Sequence, residues 1–345
     1  MQAAIQSLRI HLPFFVVYGF FSLINLRAKL VVTPSFLPKP GRYPWMKTIP
    51  SMIEQNHAKL LAFQFTNNEQ SRLLQFVIPE SLVQVFDLSV HHAYMVQRFL
   101  FVFLAFCFFH LYLKKWFDDK GAMLGVCFLA AIMPLTYYNH LQESAPLLML
   151  LFLLGLWALR EERYGWFTAI LLVGAFNNET LLILPSVYVF HKFTTWRESW
   201  KPFLRSVLMA IPAFTALGTI RYITRDRPHL GGAWHLPDNL QGIWQSIQLA
   251  PWDYWRAYYL FLFFFFNAFW VYAFVRLREK PLFLRRASLM IPIFLGIHFL
   301  TGVILEVRQM VPLAYIIIPM GLMTLFPLTQ PSEDTTNTRP IPSSQ

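Results

Sequence analysis

The sequence predicts an all-α, polytopic integral membrane protein of about ten transmembrane helices. Composition is the first observation behind this: 56% of the 345 residues are hydrophobic, 14% are charged, and the mean hydropathy is +0.44. Soluble domains carry more charge and less apolar bulk. The second is the placement of Lys and Arg. Alternate gaps between apolar runs are basic, at 114–115, 160–163, 192–205 and 276–286, while 139–142, 177–179 and 306–309 hold little or no net positive charge. Retention of positive loops on one side of a bilayer produces that alternation. It orients the chain, with both termini cytoplasmic and the neutral gaps outside.

In chain order, the first span covers 11–31, its apolar core running from Leu12 to Leu26. Arg27 and Lys29 follow and snorkel to the outer headgroups. No small-residue cleavage site follows, which predicts a retained span. The outer segment 33–92 opens with Pro34, Pro38, Pro40, Pro44 and Pro50. Helical periodicity then places Ile49, Met52, Ile53, Leu60 and Leu61 on one face, and Glu54, Gln55 and Lys59 on another. A second periodic stretch, Leu73, Leu74 and Val77 with Leu82, Val83 and Phe86, is divided by Pro79. Both read as helices lying in the interface with the apolar face down.

Spans 93–113, 121–138 and 144–160 follow. The apolar run 165–190 is interrupted by Asn177-Asn178-Glu179, and one long helix would set a carboxylate in hydrocarbon. Two short helices, 165–177 and 179–191, avoid that cost. After span 203–222, the second outer segment 223–256 carries Gly231-Gly232 and then Asp238 as an N-cap before Leu240, Ile243, Trp244 and Ile247. Spans 257–275, 287–305 and 311–328 complete a single polytopic domain, 1–328, without internal repeats. The tail 329–345 is rich in Ser, Thr and Pro and reads as disordered.

The net charge of +11 does not point to nucleic acid, because the basic residues flank apolar spans, where insertion and anionic lipids account for them. Cys107 and Cys127 lie in apolar runs and offer neither a metal site nor a disulfide framework. GxGxxG, Walker A, HExxH and GxSxG patterns are absent, so no ATP-driven engine is encoded.

On the oriented map the ionisable residues gather outside: Glu69 and Arg72, His140 and Glu143, Glu179, then Arg221, Arg225 and Arg227, and finally Glu306 with Arg308. Carboxylates and guanidiniums on one face suit a phosphate, which Arg binds bidentately. Each also has a plainer reading. Glu69 and Arg72 are spaced as a solvated helix pair; Glu306 and Arg308 mark a membrane boundary; Glu143 sits at a helix start near the positive dipole end. Glu179, inside an apolar stretch, resists a plain reading most. His298 and Asn267 read as hydrogen-bonding glue between helices.

This layout resembles the GT-C superfamily of polytopic glycosyltransferases that use polyprenyl-phosphate-linked sugars. Three strings carry the resemblance. Ser71-Arg72-Leu73-Leu74-Gln75-Phe76-Val77-Ile78-Pro79 is similar to an Arg-Leu-x-x-Pro-type segment before the second span. Asn178-Glu179 followed by an apolar run to Pro185 looks like the family's helix break. Glu306-Val307-Arg308, followed by Pro312-Leu313, is similar to its Glu-x-Arg turn. The sequence departs from the family in having no Asp between the first span and Asp87, and Asn178 where relatives often carry a basic residue.

The resemblance implies an enzyme of the bacterial plasma (inner) membrane. A carboxylate there takes the acceptor hydroxyl's proton, while Arg residues, with or without a divalent metal, receive the departing polyprenyl phosphate. Glu69 is the first choice for the base and Glu54 the second. Arg72 and Arg308 would hold phosphate, with Glu179, Glu306, Glu143 and His140 in support. The partners implied are membrane lipids and a polyprenyl-phosphate sugar donor. The rival readings are a lipid or solute transporter and an envelope-assembly scaffold.

Overall fold

The computed structural model describes residues 2–30, 49–64, 68–136, 143–193, 195, 200–225, 234–248, 266, 269–302 and 307–326. Among the described residues every regular element is helical. The α-helices are α1 Gln2–Leu30, α2 Ile49–Leu61, α3 Leu74–Phe86, α4 Val90–Leu113, α5 Asp119–Thr136, α6 Ser144–Arg160 and α7 Tyr164–Ala175. They continue as α8 Leu184–Lys192, α9 Trp200–Ile223, α10 Leu236–Gln248, α11 Leu282–Ala287, α12 Met290–Thr301 and α13 Ala314–Leu325. By length and composition, Val90–Leu113, Trp200–Ile223 and Leu282–Thr301 are long and apolar enough to cross a membrane, and α6, α7 and Leu12–Leu26 of α1 are apolar but shorter.

Helix α4 packs against α1, α3, α5 and α6. α6 is buried nearly all round and forms the centre of the bundle. Small residues let the helices close up: a Cβ on Gly155 would lie 2.6 Å from Leu184 Cδ1, and one on Gly125 would lie 2.5 Å from Leu113 Cδ1. At the rim, α9 turns Phe203 (60% exposed), Leu208 (55%) and Phe214 (56%) outward. A continuous apolar stripe of that kind is foreign to a water-facing surface.

The basic turns share one end. Lys115 Nζ meets Glu161 Oε1 at 3.1 Å and Lys192 Nζ meets Glu162 Oε1 at 2.5 Å. Arg286 Nη1 donates to His191 O, which adds α11 to that end. The α6–α7 reversal is a Schellman turn: Arg163 N donates to Ala158 O (2.8 Å), Glu162 N to Leu159 O (3.2 Å), and Glu162 takes a left-handed φ of 56°.

At this end α1 is tied in by a hydrogen-bonded chain. Tyr18 Oη lies 2.6 Å from His110 Nδ1, His110 Nε2 3.0 Å from Asp119 Oδ1, and Lys114 Nζ 2.8 Å from the same oxygen. Lys114 holds the Asp119 carboxyl below its usual range. With Nε2–H donating to that carboxylate, a neutral imidazole leaves Nδ1 to accept the Tyr18 hydroxyl.

Three expectations change. Pro79 does not divide its stretch: α3 runs through it, with Gln75, Phe76 and Pro79 on the buried face, so tertiary packing outweighs the lost backbone bond. α10 starts at Leu236, which leaves Asp238 in the first turn beside His235 Nδ1 (3.2 Å) rather than at the N-cap. Pro237 suits that start because an early helical N–H lacks a partner anyway. α2 turns Ile53, His57 and Leu60 inward while Leu61 is exposed, because His57 finds polar partners on α3 and α4. The Pro-rich 31–48, the side chains of Arg27 and Lys29, Gly231-Gly232, Asn267, most of 257–275 and the tail 329–345 lie outside the described residues.

Candidate functional site

The site grows from the break after α7. Asn178 is extended, and its side-chain oxygen accepts Thr180 N at 3.0 Å, capping the 3-10 turn Glu179–Ile183. Asn177 Nδ2 donates to Ser144 O at the start of α6 (3.0 Å), and Leu74 N donates to Phe176 O (3.0 Å). These bonds clamp the break between the N-terminal ends of α6 and α3. Arg72, just before α3, consequently meets Glu179, Nη2 to Oε1 at 3.5 Å. The charge of Arg221 on α9 acts on the same carboxylate. From α12, His298 Nδ1 donates to Phe294 O (2.8 Å), leaving Nε2 to face the Thr180 hydroxyl at 3.4 Å.

Glu69 sits in the 3-10 turn Asn68–Ser71, and Gln70 Nε2 donates to Leu60 O of α2 at 3.0 Å. Its carboxylate is 3% exposed and receives Gln75 Nε2 at 3.5 Å. The solvated Glu69–Arg72 pair does not form: burial turns Glu69 inward, and Arg72 takes Glu179 instead. Glu69, the first choice for the base, is therefore a buried carboxylate rather than a solvated one. Glu54 is exposed on α2. Glu143 occupies the N-cap of α6 without a capping bond, and pairs with Arg98 of α4, Oε1 to Nη1 at 3.8 Å. His140 and Glu306 lie outside the described residues, as does the side chain of Arg308, whose backbone belongs to the 3-10 turn Val307–Leu313.

Arg98 was missed in the sequence, although Tyr94, Gln97 and Arg98 share one face of an otherwise apolar helix, and an ionisable residue in such a span marks a site by default. Also missed was a polar clamp around His57, with Nδ1 3.0 Å from Tyr94 Oη and Nε2 2.9 Å from Glu80 Oε2. Hydrogen bonds from His57 and then Gln84 hold the Glu80 carboxyl below its ordinary range.

A depressed carboxyl gives stability that is present above its unfolded pKa of about 4.3 and is lost as pH falls through the lower folded value. Spin labels at Lys59 on α2 and Val85 on α3 should therefore move apart below about pH 4. In Glu80→Gln the distance should not respond to acid in that range. An acid-insensitive wild-type distance would show that other contacts hold α2.

Among the described residues no three His, Cys, Asp or Glu side chains gather as a metal site. Compared with protein-family models, curated proteins and solved structures, the chain matches none.

Proposed function

We propose that this protein is an integral membrane glycosyltransferase of GT-C type, with about ten spans, cytoplasmic termini and its site at the outer face of a bacterial plasma membrane. The observation that carries the reading is the Arg72–Glu179 pair, with the buried Glu69 three residues before Arg72 in the chain, at the end of the bundle away from the basic turns. The outward apolar stripe of α9 supports the membrane setting.

In this reading Glu69 takes the proton of the acceptor hydroxyl as that oxygen attacks the anomeric carbon. The anomeric C–O bond breaks, and the polyprenyl phosphate leaves with the bonding pair. Arg72, joined by Arg308, meets the phosphate charge as it develops, and Glu179 holds Arg72 in place. Glu54 stands as the alternative base, and Glu143, His140 and Glu306 as supporting groups.

A non-enzymatic transporter or scaffold is the second reading. One observation favours it: Glu69 is 3% exposed, whereas a base must reach its acceptor. Membranes containing the protein, given a radiolabelled polyprenyl-phosphate sugar, should consume the donor faster than membranes lacking it. Equal rates would favour the scaffold. A reporter active only in the periplasm, fused after Gln345, should stay silent. A strong signal would break the even span count.

A further inference from the structure

A cavity of about 440 Å³ opens at the basic end between the C-terminal ends of α4 and α6 and the N-terminal end of α7. Its mouth carries Lys115, Glu161 and Arg163, and its depth is apolar, with Phe108, Leu154, Trp157 and Ile170 among the lining residues. The three helices repeat one pattern. Phe108 precedes Lys115, Leu154 precedes Glu161, and Ile170 follows Arg163, each by seven positions, roughly 10 Å along a helix. The groove is therefore charged where it opens and oily about 10 Å further in.

The charge at the mouth is unbalanced. Glu161 already serves two cations, Lys115 at 3.1 Å and Arg160 at 2.6 Å. Arg163 is exposed and has no ion pair among the described residues. At the N-cap of α7, Arg163 makes no side-chain capping bond; Tyr164 N donates to Glu162 O (3.1 Å), which leaves the Gly165 and Trp166 amides of that first turn uncapped. Aromatic rings line the cavity from its depth to its mouth. Lys115 Nζ lies 5.8 Å from the Trp157 ring, Phe108 packs on Trp157 at 6.3 Å, and Trp166 is 67% exposed. Trp beside Lys and Arg at a helix end belongs at headgroup depth.

We infer that this cavity binds an anionic phospholipid of the inner leaflet, with the phosphate held by Arg163, Lys115 and the first turn of α7, and an acyl chain lying along Phe108, Leu154 and Ile170. The chemistry is that of basic pockets between membrane helices, in which anionic headgroups are held. The inference rests on the bundle spanning a bilayer and is independent of sugar transfer, so loss of the transferase reading leaves it standing.

The full chain, reconstituted in nanodiscs of equal phosphatidylglycerol and phosphatidylcholine and released into detergent, tests it by native mass spectrometry of the retained lipid. Phosphatidylglycerol should be retained over phosphatidylcholine by about fivefold or more. Arg163→Gln should remove roughly fivefold of that preference, because its side chain makes no ion pair whose loss would harm the fold. Arg278→Gln, an exposed cation at the same end but outside the cavity, should leave the preference unchanged, and so should excess inorganic phosphate. Equal retention of the two lipids, equal effects of the two substitutions, or displacement by inorganic phosphate would each overturn the inference.

Discussion

Glu69→Gln should abolish sugar transfer, by about 100- to 10,000-fold, without disturbing the bundle. Gln keeps the size of the side chain and its contact with Gln75, which lies 3.5 Å from the carboxylate, but cannot take a proton. Glu54→Gln should retain activity, because among the described residues Glu54 makes no ion pair with Arg72, the proposed phosphate ligand, which is held by Glu179. Arg72→Met should also fall sharply, since it removes the guanidinium that Glu179 holds at 3.5 Å. Donor consumption in membranes provides the measurement, and resistance to proteolysis reports the fold. Full activity in Glu69→Gln would move the chemistry to another acid. Loss in Glu54→Gln alone would name that acid.

The largest stability effect should come from Arg98 and Glu143, which are 0% and 3% exposed in their side chains. Glu143→Leu takes a counter-charge from a fully buried guanidinium and should cost about 3–5 kcal/mol. Arg98→Met should cost a similar amount by removing the cation that faces the buried carboxylate. The double substitution removes both charges and should recover most of the loss, since a buried pair is weak evidence of net stabilisation while a broken one is costly. Thermal unfolding of the detergent-solubilised protein checks this. Additive losses would show that the two groups act independently.

The sequence showed some of this plainly because the physics was local. The break at Asn177-Asn178-Glu179 follows from a polar triplet in an apolar run, and it separates α7 from α8 in the structure. Basic gaps sorted by sign became basic turns sharing one end. What stayed hidden depends on contacts between distant positions. The Arg72–Glu179 pair joins positions 107 apart, so spacing alone favoured the nearer Glu69. Pro79 looked like a breaker because propensity ignores the packing that holds α3 together around it. His57 carried no signal in the sequence, because its partners Tyr94 and Glu80 arrive from two other helices.

The chain from Tyr18 to Lys114 also sets an order of assembly during synthesis. Ser22 Oγ and Asn25 Nδ2 donate within their own helix, to Tyr18 O and Phe21 O. The Tyr18 hydroxyl cannot, because its partner His110 lies 92 positions later, ~5–20 s of translation. Asp119, which completes the chain, comes later still. Helix α1 thus carries a buried hydroxyl whose partner is made only with α4, and in the proposed bilayer setting its place waits until α4 and the start of α5 emerge. Its final register is a late event in biogenesis, decided by residues made long after it.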